Sequence, residues 1–142
     1  MHARRSISAI LLVAGLSLAI SCGTTTPPTS PTTTPTITDT FSADLAQQGS
    51  ITHNFKVNST GEVTITLTSV SPLSTMSLGV GLMTSDGTSC IATQTANNDA
   101  RANNAAALQG TAVAGNYCIR VYDSGNVPVA TTVSYTVTVL HP

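Results

Sequence analysis

The chain is poor in charge and in aromatic rings: only 8% of its 142 residues are charged, 4% are aromatic, and tryptophan is absent. Lys56, Arg101 and Arg120 are the only basic residues after position 37, against Asp39, Asp44, Glu62, Asp86, Asp99 and Asp123. Three scattered cations cannot neutralise a row of phosphates, so nucleic acid is excluded as a partner. The six acids stand apart along the chain, and neither a calcium site nor the paired carboxylates of a glycosidase is expected. His53 stands on the apolar phase of a strand-like run and His141 next to the last residue; neither has a serine, cysteine or acid at motif spacing. No catalytic constellation, phosphate loop, metal site or cofactor is therefore expected. His53 reads as an interior or edge residue and His141 as solvated.

Long apolar runs are also missing, with one exception. Ile7 to Ile20 holds 14 residues without a charge, preceded by Arg4 and Arg5. A helix needs about 20 apolar residues to cross a bilayer, so this run is too short to span and reads as the apolar core of an export signal. Leu18-Ala19-Ile20-Ser21-Cys22 closes it. These residues resemble a bacterial lipobox, with Ala19 where that motif usually has leucine. On this reading residues 1–21 are removed and Cys22 becomes a lipidated N-terminus that holds the protein to a membrane. Several acyl chains would hold it firmly, at about 0.8 kcal/mol per buried methylene. Gly23, which is not aspartate, makes the outer membrane the expected address in a Gram-negative cell. Ala19 and Ser21 also suit an ordinary cleavage site, which would release a secreted protein with a free Cys22.

Cysteine number bears on that choice. The chain has three, Cys22, Cys90 and Cys118. An odd thiol in an exported protein needs an explanation, and lipidation of Cys22 supplies one. Cys90 and Cys118 then form an even pair, expected as a disulfide. A zinc or redox role would need closer spacing or histidine partners.

Residues 22–36 are dominated by threonine and proline, with no charge and no large apolar side chain. Such a segment cannot bury enough surface to offset the entropy of ordering, and serves as a spacer of roughly 40 Å. Residues 37–142 make one domain. There the apolar residues alternate with polar ones: Ile51, His53, Phe55 and Val57; Val63, Ile65 and Leu67; Leu78, Val80 and Leu82; Tyr117, Ile119 and Val121; Val133, Tyr135, Val137 and Val139. Period-two alternation with Gly, Asn and Asp between the runs predicts an all-β antiparallel sandwich. Gln94 to Gly110, rich in Asn and Ala, reads as a long loop with a short helix at its end. Tyr117 and Tyr135 share the apolar phase and are assigned to the core, whereas Tyr122 and Arg120 fall on the opposite face. With the polar stretch Asn97 to Asn104, they form the candidate ligand surface. Asn58-Ser59-Thr60 reads as a turn.

AGNYCIRVYDSG (Ala114 to Gly125), SYTVTV (Ser134 to Val139) and the opening Phe41 to Ser69 together resemble the bacterial pre-peptidase C-terminal domain. The resemblance implies a jelly-roll-like sandwich of seven or eight strands with an auxiliary role beside exported proteins. The expected function is a non-catalytic, membrane-anchored envelope module that binds a polysaccharide or an envelope protein. A purely structural envelope role and assistance to an exported peptidase are the other readings.

Overall fold

The computed structural model describes residues 36–102 and 105–142. The leader 1–21, Cys22, the tether up to residue 35, and Asn103 and Asn104 lie outside the described residues. Eight strands follow one another: β1 (Ile37–Ala46), β2 (Ser50–Val57), β3 (Gly61–Ser71), β4 (Ser77–Ser85), β5 (Cys90–Arg101), β6 (Ala106–Ala112), β7 (Gly115–Tyr122) and β8 (Thr132–His141). They form two four-stranded sheets, β1-β8-β3-β6 and β2-β7-β4-β5, and every pairing is antiparallel. Apart from the β4–β5 hairpin, each connection passes from one sheet to the other. Chain neighbours β1/β2, β8/β7, β3/β4 and β6/β5 thus hold the same rank in the two sheets. That is the jelly-roll arrangement.

The alternating runs set the inner faces. Leu67, Val137 and Val139 from one sheet and Val57, Leu78, Val80, Ile119 and Val121 from the other are fully buried. In β3 and β8 threonine and serine occupy most of the intervening outward positions, where β-branched side chains suit a pleated, half-exposed surface. Tyr117 and Tyr135 lie in the core, at 7% and 1% exposure.

Two expectations are corrected. Gln94 to Gly110 is not a loop with a helix: it supplies most of β5 and most of β6. Both are edge strands. An edge strand that leaves nearly all of its side chains exposed, as β5 does, has no buried face to impose alternation. Its pairing with β4 is also interrupted by three register shifts. Asn97 shows how polar residues serve here, since its Nδ2 donates to the Ala107 carbonyl at 2.9 Å and ties β5 to β6. His141 is the second correction. It is 1% exposed, because it continues the inward phase of β8 beyond Val139. Its Nε2 lies 3.1 Å from Asp39 Oδ2, its Nδ1 3.3 Å from the Pro142 carbonyl, and its ring packs on Phe55.

Two turns carry glycine where the backbone requires it. Gly87 and Gly125 adopt positive φ, +99° and +97°. Asp123 organises the β7–β8 connection. Its Oδ1 accepts the amides of Gly125 (2.8 Å), Asn126 (2.8 Å) and Val127 (3.0 Å), while Oδ2 accepts that of Gln48 (2.8 Å) in the β1–β2 turn. Partial burial pulls this carboxyl upward, but the amides of Val127, Gln48, Gly125 and Asn126 outweigh it and hold the carboxyl below its ordinary value. Asp123→Ala strands these four donors and is expected to cost about 2–3 kcal/mol, discounted for the water that reaches this turn. Because the folded pKa is depressed, the contribution is complete above the unfolded value of about 3.9 and fades as pH falls through the folded one. Urea unfolding at pH 7 and pH 3 checks this: the gap between wild type and variant is large at pH 7 and narrows at pH 3.

Candidate binding face

The outer face of the β2-β7-β4-β5 sheet holds the surface singled out by Tyr122 and Arg120. Both project outward from β7, opposite to the inward Ile119 and Val121. In register, Ser50 and Gly79 flank Tyr122, and Thr52 and Gly81 flank Arg120. Gly79 decides how the ring lies. A Cβ at this position would meet Tyr122 ring atoms at 2.2–2.5 Å, so the phenol is laid directly over the β4 backbone. Only glycine allows an approach this close.

The far side of the ring is set by β5. Between Leu78 and Val80 the β4–β5 register shifts, so Asn98 and Asp99 together oppose the single residue Gly79. This bulge re-aims a side chain in the way bulges do. The Tyr122 hydroxyl donates to Asn98 Oδ1. The Arg120 guanidinium carbon stands 5.3 Å from the centre of the Tyr122 ring, within cation–π range. The result is one half-exposed aromatic ring with a cation over it and Ser50, Thr52 and Asn98 as its polar neighbours. Beyond Asn98, Asp99 pairs with Arg101 at 2.9 Å. The Ser77 hydroxyl, then Arg101, hold the Asp99 carboxyl below its ordinary value.

A cross-link braces this face. Cys90 on β5 and Cys118 on β7 form a disulfide with Cα atoms 6.0 Å apart, spanning β4. Cys118 is on the outward phase yet wholly buried, because the bond and the neighbouring strand cover it. The edge strand carrying Asn98 is thereby fixed to the strand carrying Tyr122.

The structure thus brings Tyr122, Arg120 and Asn98 together, and separates them from much of the stretch first grouped with them. Asn97 faces the β6 side, and Asp99 and Arg101 pair with each other. Asn98 lies within the stretch Asn97 to Asn104 grouped with this face from the sequence, whereas Gly79 was not singled out for it. The available signal was a glycine inside an apolar strand, which marks a close approach of another group.

The histidines are engaged elsewhere. His53 Nε2 lies 2.8 Å from the Tyr135 hydroxyl, with Phe41 stacked on the imidazole at 4.8 Å. Burial lowers the His53 pKa and raises that of Tyr135 to about 12, so a neutral pair is maintained at pH 7. His141, with both ring nitrogens next to acceptors and its ring buried, acts as a tie between β8 and β1. Among the described residues, no group of three or more His, Cys, Asp or Glu side chains converges to hold a metal ion. No protein-family model matches this chain, and no curated protein matches it.

Proposed function

We propose that the chain is an envelope lipoprotein, tethered through Cys22, whose sandwich serves as a non-catalytic binding module for a polysaccharide. The observation that carries the binding half is Tyr122 spread over Gly79, with Arg120 over the ring and Asn98 at its hydroxyl. A flat, partly exposed ring offers a stacking platform for a sugar face, and its polar surround offers hydrogen bonds to hydroxyls. Arg120 favours polymers bearing carboxylate or another anionic group. The anchoring half is supported by the order of the leader, Cys22 and the Thr/Pro tether, and by Cys90 and Cys118 consuming each other. The jelly-roll strand order supports reading residues 37–142 as similar to a pre-peptidase C-terminal domain, a family that works beside other exported proteins.

An array of neutral and acidic polysaccharides and of envelope proteins, probed with the full chain, tests the binding reading. Wild type is expected to retain an acidic polysaccharide, and Tyr122→Ala to lose about tenfold in affinity, the range of one aromatic platform. Arg120→Ala is expected to weaken acidic polymers more than neutral ones. Gly79→Ala keeps both side chains but drives the ring off the β4 backbone, and is expected to weaken binding as Tyr122→Ala does. Retention of one envelope protein and no glycan would instead point to a structural partner. Unchanged binding in all three variants rejects this face.

A further inference from the structure

A second opening lies where the two sheets part between edge strands β5 and β6. There Val63, Ile65, Leu82 and Leu108 line a cavity of about 280 Å³ whose mouth is formed by Gln94, Thr95, Gln109 and Thr111. Val63 and Ile65 are core residues, at 2% and 1% exposure, and Leu82 and Leu108 pack against that core while partly exposed. The cavity is therefore a notch cut into the hydrophobic interior.

Gly110 keeps it open. It pairs with Val63 across β3 and β6, and paired residues point to the same face, so a side chain at Gly110 would point inward beside Val63. A Cβ placed there would meet nothing within 4 Å. Gly110 is also not one of the glycines with positive φ, which are Gly87 and Gly125. Neither backbone conformation nor close packing demands glycine at this position, and glycine weakens a strand interior. On the opposite lip, the β4–β5 register shift between Leu82 and Met83 leaves Gln94 out of the pairing and widens the mouth.

From this geometry we infer that the notch is a binding pocket for a small neutral amphiphile: a short aliphatic chain carrying an amide or alcohol head. The aliphatic body matches the four-residue apolar lining. The head matches Gln94 and Thr95 on the β5 lip; across the mouth, Gln109 and Thr111 share the outward phase of Thr64 and Glu62, and the Gln109 amide donates to the Glu62 carboxylate at 2.9 Å. The volume lies at the low end of ordinary ligand pockets, roughly 300 Å³ and upward. An anionic head would lose hydration against this rim with no cation to compensate, and would stand near the Glu62 carboxylate that holds Gln109. The site is independent of Tyr122 and Arg120, which stand on the outer face of the β2-β7-β4-β5 sheet and do not line the notch.

Methyl-labelled full chain titrated with hexanamide tests the inference, with acetamide and hexanoate as comparators. Hexanamide is expected to give saturable shifts confined to the methyls of Val63, Ile65, Leu82 and Leu108. Acetamide is expected to give none, and hexanoate to bind about tenfold more weakly for want of a counter-charge. Gly110→Leu fills the notch and is expected to abolish the shifts without lowering the melting temperature. Gly110→Val, a smaller residue suited to a strand, gives the same reading should leucine overpack. Tyr122→Ala leaves the titration unchanged, which separates this pocket from the polysaccharide face. The inference is overturned by the absence of saturable shifts, by an equal response to acetamide, or by shifts that persist in a folded Gly110 variant.

Discussion

Tyr135→Ala is expected to lower the unfolding free energy by about 4 kcal/mol, and Tyr135→Phe by only about 1 kcal/mol. Tyr135 is among the largest fully buried side chains, 1% exposed in the middle of β8. Truncation removes a whole ring from a close-packed interior and leaves a cavity that its neighbours cannot collapse to fill. The hydroxyl alone contributes less, since its partner His53 is only partly buried and water can replace the lost bond at 2.8 Å. The same pair sets a pH dependence. Burial depresses the His53 pKa in the folded state, so below the unfolded value of about 6.5 the unfolded chain takes up the proton more readily. Stability is complete above that value and declines as pH falls through it toward the folded pKa. Denaturant titrations of wild type and both variants between pH 8 and pH 5 read these effects. A Phe variant as unstable as the Ala variant would show that the hydrogen bond, not the packing, dominates.

Loss of the Cys90–Cys118 cross-link is the second large effect. The two cysteines are 28 residues apart in sequence, and a loop of that size is worth about 3 kcal/mol in the chain-entropy account. For a domain of this size, 3 kcal/mol is a large share of a stability of about 5–15 kcal/mol. The position of the bond adds a local consequence. β5 is an edge strand with three register shifts in its pairing to β4, so backbone bonds alone hold it loosely. Cys90→Ser/Cys118→Ser is therefore expected to lose about 3 kcal/mol and to speed amide exchange in β5 more than in β7. It is also expected to loosen Asn98 from Tyr122. Thiol titration of the denatured wild type finding reactive Cys90 and Cys118 without reductant contradicts the cross-link.

The readability of this fold from its residues followed burial. Every run with clean alternation is a strand in the structure, because each turns its apolar phase to the core and its small or polar phase to the outer face. His141, read as solvated, is the exception: continuing the Val133-Tyr135-Val137-Val139 phase by one step places it inside, where the structure has it. Gln94 to Gly110 was not, since β5 buries almost nothing along its length and its Asn and Ala residues carry little strand preference. The candidate face divides in the same way. Tyr122 and Arg120 could be assigned to one side of β7 by phase alone. Asn98 could not, because its place depends on a bulge opposite Gly79, and a register shift leaves no periodic mark in a sequence. The open notch at Gly110 is a property of two strands that are adjacent in the chain but belong to different sheets, and only the packed structure displays it.

The claim that this sandwich works as a membrane-tethered module rests on Cys22, and intact mass analysis of the mature protein from native membranes tests it most directly. The expected N-terminal peptide starts at Cys22 and carries a thioether-linked diacylglycerol, with the protein partitioning into detergent. An unmodified Cys22, in a protein recovered in the aqueous phase, contradicts the anchor and leaves a secreted sandwich in its place.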